Sequence, residues 1–326
     1  MSCTLLTITT IFSLSQLYFA TMSLSHSKMP IVTLTANIVA ETTYYVGDWG
    51  PGKTSRATKE RFQVGGKGIN VSKMLLRLDA DTTTVCFPGG SFGPSCTKSL
   101  AAENIPFQAF TTDCVTRSGS IIRSPGHKEI SILGLDCQVS KRAVHDCVEY
   151  LSTLDKPYLL AVCGVFPCWD SETWVPLRDW LSQREDFVQL AVDTYGLGLK
   201  GFVQQSPALV KINRDELEMF FDHHAIDSPT DSLLDQLGAT SDCPLWIITD
   251  GENPIWIKIK NESCVSVQPR PTKCISPIGC GDVFFATLLN GIVNHPEMGI
   301  VDNVRLAAEY ATRNAESHGI ADFEIE

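Results

Sequence analysis

From Pro30 onward, short apolar runs alternate with stretches whose apolar residues recur every three or four positions. IVTLTANIV, TTTVCF, YLLAVCGV, VQLAVD, ALVKIN and LWIITD are of strand length, whereas VSKMLLRL and CTKSLAAE have helical spacing. Apolar strands separated by helix-length segments predict βαβ units. The expected class is therefore α/β, with a Rossmann-like, mainly parallel sheet covered by helices on both faces. Two stretches break this rhythm, at about 41–64 and about 113–135. Each holds two alternating polar and apolar runs around a Gly or Pro turn, which predicts two hairpins and a small sheet standing off the main one. Such a sheet would be a lid that covers a substrate and excludes water. Near the end, VFFATLLNGIV is apolar on nearly every face and predicts a buried helix opening at the glycine-rich turn before Asp282. VDNVRLAAEYATRNAESHG predicts a last amphipathic helix, capped by Asp302 and ending before Gly319.

Residues 1–29 stand outside this pattern. Their apolar run, TLLTITTIFSLSQLYFAT, has no Lys or Arg before it and is too polar and short for a membrane span. With Met22 and Met29 close behind, the segment is read as an extension outside the fold, either disordered or preceding the true start. Export targeting is the competing reading.

Composition narrows the partners. In 326 residues, 26 basic side chains against 37 acidic ones give a formal charge of -11, which repels nucleic acid and anionic membranes at long range. Neither is an expected partner, but a small anion can still be held by a few local Lys, Arg and backbone N–H groups. The 12 cysteines show no C-x-x-C pair or zinc-like spacing, so they read as reduced thiols used as small apolar residues, as in the cytoplasm.

Three segments carry candidate chemistry. IGCGD (278–282) sets two glycines before an acid at the start of the buried helix, so its N–H groups and positive dipole end can face an anion. Asp282 could there accept a hydroxyl proton, or it could be a simple cap on a glycine turn. VGGKGINVSKMLLRL (64–78) places Gly65 and Gly66 where backbone could approach a polar ligand, with Lys67 and Asn70 supplying charge and hydrogen bonds. LVKINRDELEMF brings Asn213 and Glu216 within one helical turn. That pair could order Mg²⁺ through water, or form an ordinary capping arrangement.

Together these segments resemble the PfkB, or ribokinase-like, family of carbohydrate kinases over residues 30–326. GGKGIN (65–70) resembles its first signature, KINRDE (211–216) its magnesium-associated N-x-x-E, TDG (249–251) its nucleotide loop, and SPIGCGD (276–282) its second signature. The resemblance implies a ribokinase-like domain with a β-sheet lid, ATP and Mg²⁺ as cofactors, and phosphoryl transfer to a sugar or sugar-phosphate hydroxyl. It assigns Asp282 as general base, with Gly279, Cys280 and Gly281 as the anion hole. Asn37, Gly65, Gly66, Lys67, Asn70 and Arg117 would bind the acceptor, with Lys67 and Arg117 on its existing phosphate. Lys211, Asn213, Thr249, Gly251 and Asn314 would bind the nucleotide, and Glu216 with Asn213 would hold Mg²⁺. The wording is most similar to the 1-phosphofructokinase and tagatose-6-phosphate kinase branch, and a homodimer would form through the lid. Two positions depart from the pattern: Val39 stands where that branch has a sugar-gripping acid, with Asn37 or Glu41 as substitutes, and Pro254 replaces a glycine of the nucleotide loop.

Rival readings exist. GDWGPGKT (47–54) matches the P-loop pattern, but the polar TSRATKERFQ after it cannot form the packed helix a P-loop needs. A catalytically silent sugar-binding protein of the same fold is a second rival. His223 and His224 beside Asp222 suggest a metal but read better as a solvated helix end. Cys280 could be reactive at a helix N-terminus, yet reads better as a small space-filling residue.

Overall fold

The computed structural model describes residues 28–325, apart from 48, 155–156 and 223–226. Its strands are β1 (Ile31–Thr35), β2 (Val39–Val46), β3 (Ala57–Gly65), β4 (Thr82–Cys86), β5 (Phe107–Ala109), β6 (Arg117–Arg123), β7 (Ile130–Leu133), β8 (Tyr158–Cys163), β9 (Val188–Asp193), β10 (Leu209–Asn213), β11 (Leu245–Thr249), β12 (Ile255–Ile259) and β13 (Val265–Val267). Nine of them form one sheet in the order β13-β12-β11-β10-β9-β8-β1-β4-β5. Pairing is parallel from β5 through to β11 and antiparallel only at β12 and β13.

The central strands read as unbroken apolar runs because both faces are covered. Ile31 of β1 faces one helical layer, while Val32 and Leu34 face the other. The first layer packs α1 (Lys67–Arg77), α8 (Cys280–Asn294) and α9 (Ile300–Ala315), through Val71, Met74, Phe284, Leu288 and Val304. The opposite layer packs α3 (Lys141–Ser152), α4 (Val175–Gln183), α5 (Gly196–Val203), α6 (Arg214–Phe220) and α7 (Thr230–Thr240), through Val144, Leu181, Phe202, Leu217 and Leu234, while α2 (Gly93–Ala102) packs Cys96 and Leu100 into a smaller cluster with Ile38 and Val64. The sheet reverses its winding direction beside β1, and in such sheets the crevice at the strands' C-terminal ends is where ligands bind.

β2, β3, β6 and β7 form a separate sheet in the order β3-β2-β6-β7. Each predicted hairpin is antiparallel, and the two are joined by the parallel pair β2 and β6. At the base of this sheet Gly65, Val39 and Arg117 stand side by side on neighbouring strands.

Two sequence expectations need correction. The last helix begins at Ile300, after Gly299, so Asp302 lies in its first turn rather than at its cap. There its carboxylate still meets the positive end of the helix. The 47–54 stretch connects β2 to β3, with a turn in which Lys53 N–H donates to Gly50 O (3.2 Å), and no helix follows it. The P-loop reading fails on that ground. His223, His224 and residues 1–27 lie outside the described residues. Among the described residues, no helix is long and apolar enough to cross a membrane, and no cysteine forms a disulfide.

Candidate active site

Asp193, Asn213 and Thr249 are the last residues of β9, β10 and β11, so three polar side chains emerge along one edge of the main sheet. Lys67 opens α1 and Asp282 sits in the first turn of α8, and both helices lie on the same face of the sheet. The Lys67 Nζ donates to Asp193 Oδ1 (2.7 Å) and to Glu216 Oε1 (2.9 Å), and Lys211 Nζ donates to Asp193 Oδ2 (3.0 Å). Asn70 Nδ2, one turn along α1, donates to Asp282 Oδ2 (2.7 Å).

Two buried carboxyls in this cluster are driven in opposite directions. Burial would push Asp193 upward, but Lys211 and Lys67 hold it below the usual carboxylate range. Asp282 is pushed up to about 6, first by burial and then by the charge of Asp193, against the pull of Lys67 and Asn70. Lys67 is held well above its ordinary value because Asp193, Glu216 and Asp282 outweigh its own burial. Separation of two neighbouring carboxyls in this way marks one as a fixed charge and the other as a group able to exchange a proton near neutrality.

The turn before Asp282 leaves the start of α8 without a side-chain cap. Gly279 has φ 78°, and a Cβ there would lie 2.9 Å from Ile320, so both conformation and space require glycine. A Cβ on Gly281 would lie 3.0 Å from Lys211 Nζ. Gly279 has no side chain to cap α8, and the N–H groups of Gly281 and Asp282 find no acceptor among the described residues. Free N–H groups at a helix start, beside a lysine ammonium, can face an anion. Asp282 Oδ1 and the buried Asn70 Oδ1 also have no partner among the described residues.

The remaining expected residues divide between this cluster and its supports. Asn213 and Glu216 form a capping box: Glu216 N–H donates to Asn213 Oδ1 (2.8 Å), and Asn213 N–H to Glu216 Oε2 (2.9 Å). With Oε1 taken by Lys67, both Glu216 oxygens are engaged. Asn314 is buried and fully committed within the fold: its Nδ2 donates to Ile278 O (3.0 Å) and its Oδ1 accepts from Ala321 N–H (2.8 Å), which fixes the turn from behind. Cys280 Sγ also accepts from Asn314 Nδ2 (3.4 Å), and burial pushes its thiol up to about 11. Thr249 and Gly251 lie where β11 ends, with Gly251 at φ 55°. Gly65 and Gly66 lead directly into Lys67. Asn37 and Arg117 do not join the lysine cluster; both contact Asp136 at the base of the small sheet. Glu41 is buried on β2, where burial pushes its carboxyl up and Gln63 donates to it.

Asp193 was not singled out from sequence, although an acid closing the otherwise apolar VQLAVD run was the available signal. Ser276 was also missed: its Oγ donates to Glu129 Oε1 (2.6 Å) and ties the start of the glycine turn to the small sheet's β6–β7 connection.

The profile described as "pfkB family carbohydrate kinase" matches residues 30–325. The D-tagatose-1-phosphate kinase of Bacillus licheniformis is 26% identical over 195 residues, a match spanning 59% of this chain and 62% of that protein. The 1-phosphofructokinase of Bacillus subtilis is 24% identical over 300 residues, covering 90% of this chain and 95% of the relative. Phosphofructokinase-2 from Escherichia coli, solved in complex with potassium, superposes with a TM-score of 0.80 at 19% identity, covering 90% of this chain and 94% of that one. A match along nearly the whole described chain, with the glycine turn and its acid at the sheet's C-terminal edge, shows that this protein belongs to the pfkB family of carbohydrate kinases.

Proposed function

We propose that the protein transfers the γ-phosphate of ATP to a hydroxyl of a sugar phosphate, with Asp282 as the general base. The observation that carries this reading is one carboxyl, buried and pushed up to about 6, beside free N–H groups and a lysine ammonium. Asp282 takes the acceptor's hydroxyl proton on Oδ1, while Asn70 holds Oδ2 and aims it. The N–H groups of Gly281 and Asp282, together with Lys211, stabilise the charge on the moving phosphoryl group. Asn70 Oδ1, buried and unpartnered, accepts a hydrogen bond from the acceptor. The nucleotide lies over the ends of β10 and β11, near Asn213, Thr249 and Gly251.

The residues fit Mg²⁺ only through water, because both oxygens of Glu216 already accept hydrogen bonds. When bound there, the ion would draw negative charge from the nucleotide phosphates. The small sheet serves as the lid, and a homodimer forms through it, with Ile132 of its edge strand β7 56% exposed.

A coupled ADP-release assay over fructose 1-phosphate, fructose 6-phosphate, tagatose 1-phosphate, tagatose 6-phosphate and their parent sugars tests the reading. ADP release that depends on one sugar phosphate is expected. ATP binding with no release across the panel would return the protein to the silent sugar-binder reading.

A further inference from the structure

At the base of the small sheet a second polar group lies beside the glycine turn that leads into Lys67. Asn37 lies between β1 and β2, where the chain leaves the main sheet, and is buried. Its neighbours bracket the glycine turn that leads into Lys67: a Cβ on Gly66 would lie 3.0 Å from Thr35 and 3.4 Å from Ile38. Asn37 Nδ2 donates to Asp136 Oδ1 (2.8 Å), and Asn37 Oδ1 accepts from Cys137 N–H (3.2 Å). From the other side, Arg117 Nη1 reaches the same Asp136 Oδ1 (3.1 Å), while Arg117 Nε donates to Gly134 O (2.9 Å). One carboxamide and one guanidinium thus clamp the loop after β7 and hold a single oxygen of its acid.

The other oxygen, Asp136 Oδ2, has no partner among the described residues, and the side chain is 46% exposed. Val39, beside Arg117 in the sheet, is apolar and offers no acceptor there. A carboxylate anchored through one oxygen and open at the other is a preorganised acceptor for a ligand hydroxyl. The negative charge of Asp136 beside Arg117 weakens the hold of the guanidinium on a phosphate.

We propose that Asp136 is the carboxylate that grips a non-reacting hydroxyl of the acceptor sugar, with Asn37 and Arg117 holding it in place. Asp136 is thereby a specificity-determining residue, distinct from the base Asp282. The inference rests on the sugar-kinase reading given above.

The test measures kcat and KM for the accepted sugar phosphate and for each of its monodeoxy analogues in the wild type, Asp136→Asn and Asp136→Ala, with melting curves for all three. One deoxy analogue is expected to cost the wild type at least about 10-fold in kcat/KM and to cost Asp136→Ala less than about 2-fold, while the KM for ATP stays unchanged. Persistence of every deoxy penalty in Asp136→Ala would overturn the inference while leaving the kinase reading intact. So would collapse of the fold in both variants, because Asp136 would then be a structural residue. A wild-type protein that phosphorylates no sugar or sugar phosphate would overturn the kinase reading itself, and this inference with it.

Discussion

Replacing Asp282 with Asn should make the protein more stable while disabling it. The carboxyl rises from 3.8 to about 6 on folding, which at about 1.4 kcal/mol per pH unit costs the fold about 3 kcal/mol once the group is ionised. Below about pH 3 the acid is largely protonated in folded and unfolded chains alike, so the cost fades; it grows as the pH rises from about 4 to about 6 and is then constant. Asn has the same shape, and its carboxamide oxygen can still accept from Asn70 Nδ2. Denaturant unfolding of the wild type and Asp282→Asn at pH 7.5 and pH 4 should therefore show a gain of about 2–3 kcal/mol at the higher pH, shrinking below about 1 kcal/mol at the lower. Turnover should fall at least ~10²-fold in the same variant. A variant no more stable than the wild type at pH 7.5, or a gain that persists unchanged at pH 4, would refute the view that burial beside Asp193 strains this carboxyl.

Other expectations follow from neighbouring contacts. Asn70→Ala removes a hydrogen bond that favours the Asp282 carboxylate, so the acid limb of the pH–activity profile should move to higher pH. Asp193→Asn removes the partner of two lysines at once, and unfolding experiments should show a loss of about 3–5 kcal/mol. Gly281→Ala presses a methyl group toward Lys211 Nζ, and steady-state assays should show turnover reduced at least ~10-fold with little change in melting temperature. Lys53→Ala, in the turn that only resembles a P-loop, should leave turnover within about 2-fold of the wild type.

What could be read from sequence was whatever local chemistry dictates. Two glycines before an acid and an apolar helix can hardly be other than a tight helix start, and the structure places Asp282 in the first turn of α8. The buried strands announced themselves as unbroken apolar runs, and the small sheet as alternation around Gly and Pro turns. What could not be read depends on pairing between distant segments. The Lys67 ammonium meets Asp193 across 126 positions of chain, and Asn37 meets Asp136 across 99, with no local pattern that anticipates either contact. Asn213 and Glu216 show a subtler case. The capping box and the ion pair to Lys67 use the same carboxylate, so the local spacing announced the cap but not the distant lysine.

The pH dependence of kcat/KM for transfer from ATP to the accepted sugar phosphate tests the role of Asp282 most directly. The account predicts a value that falls about tenfold per pH unit below about pH 6, with a limb that disappears in Asp282→Asn. A wild-type profile level from pH 5 to pH 8, or an Asp282→Asn enzyme with the wild-type limb and rate, would contradict it.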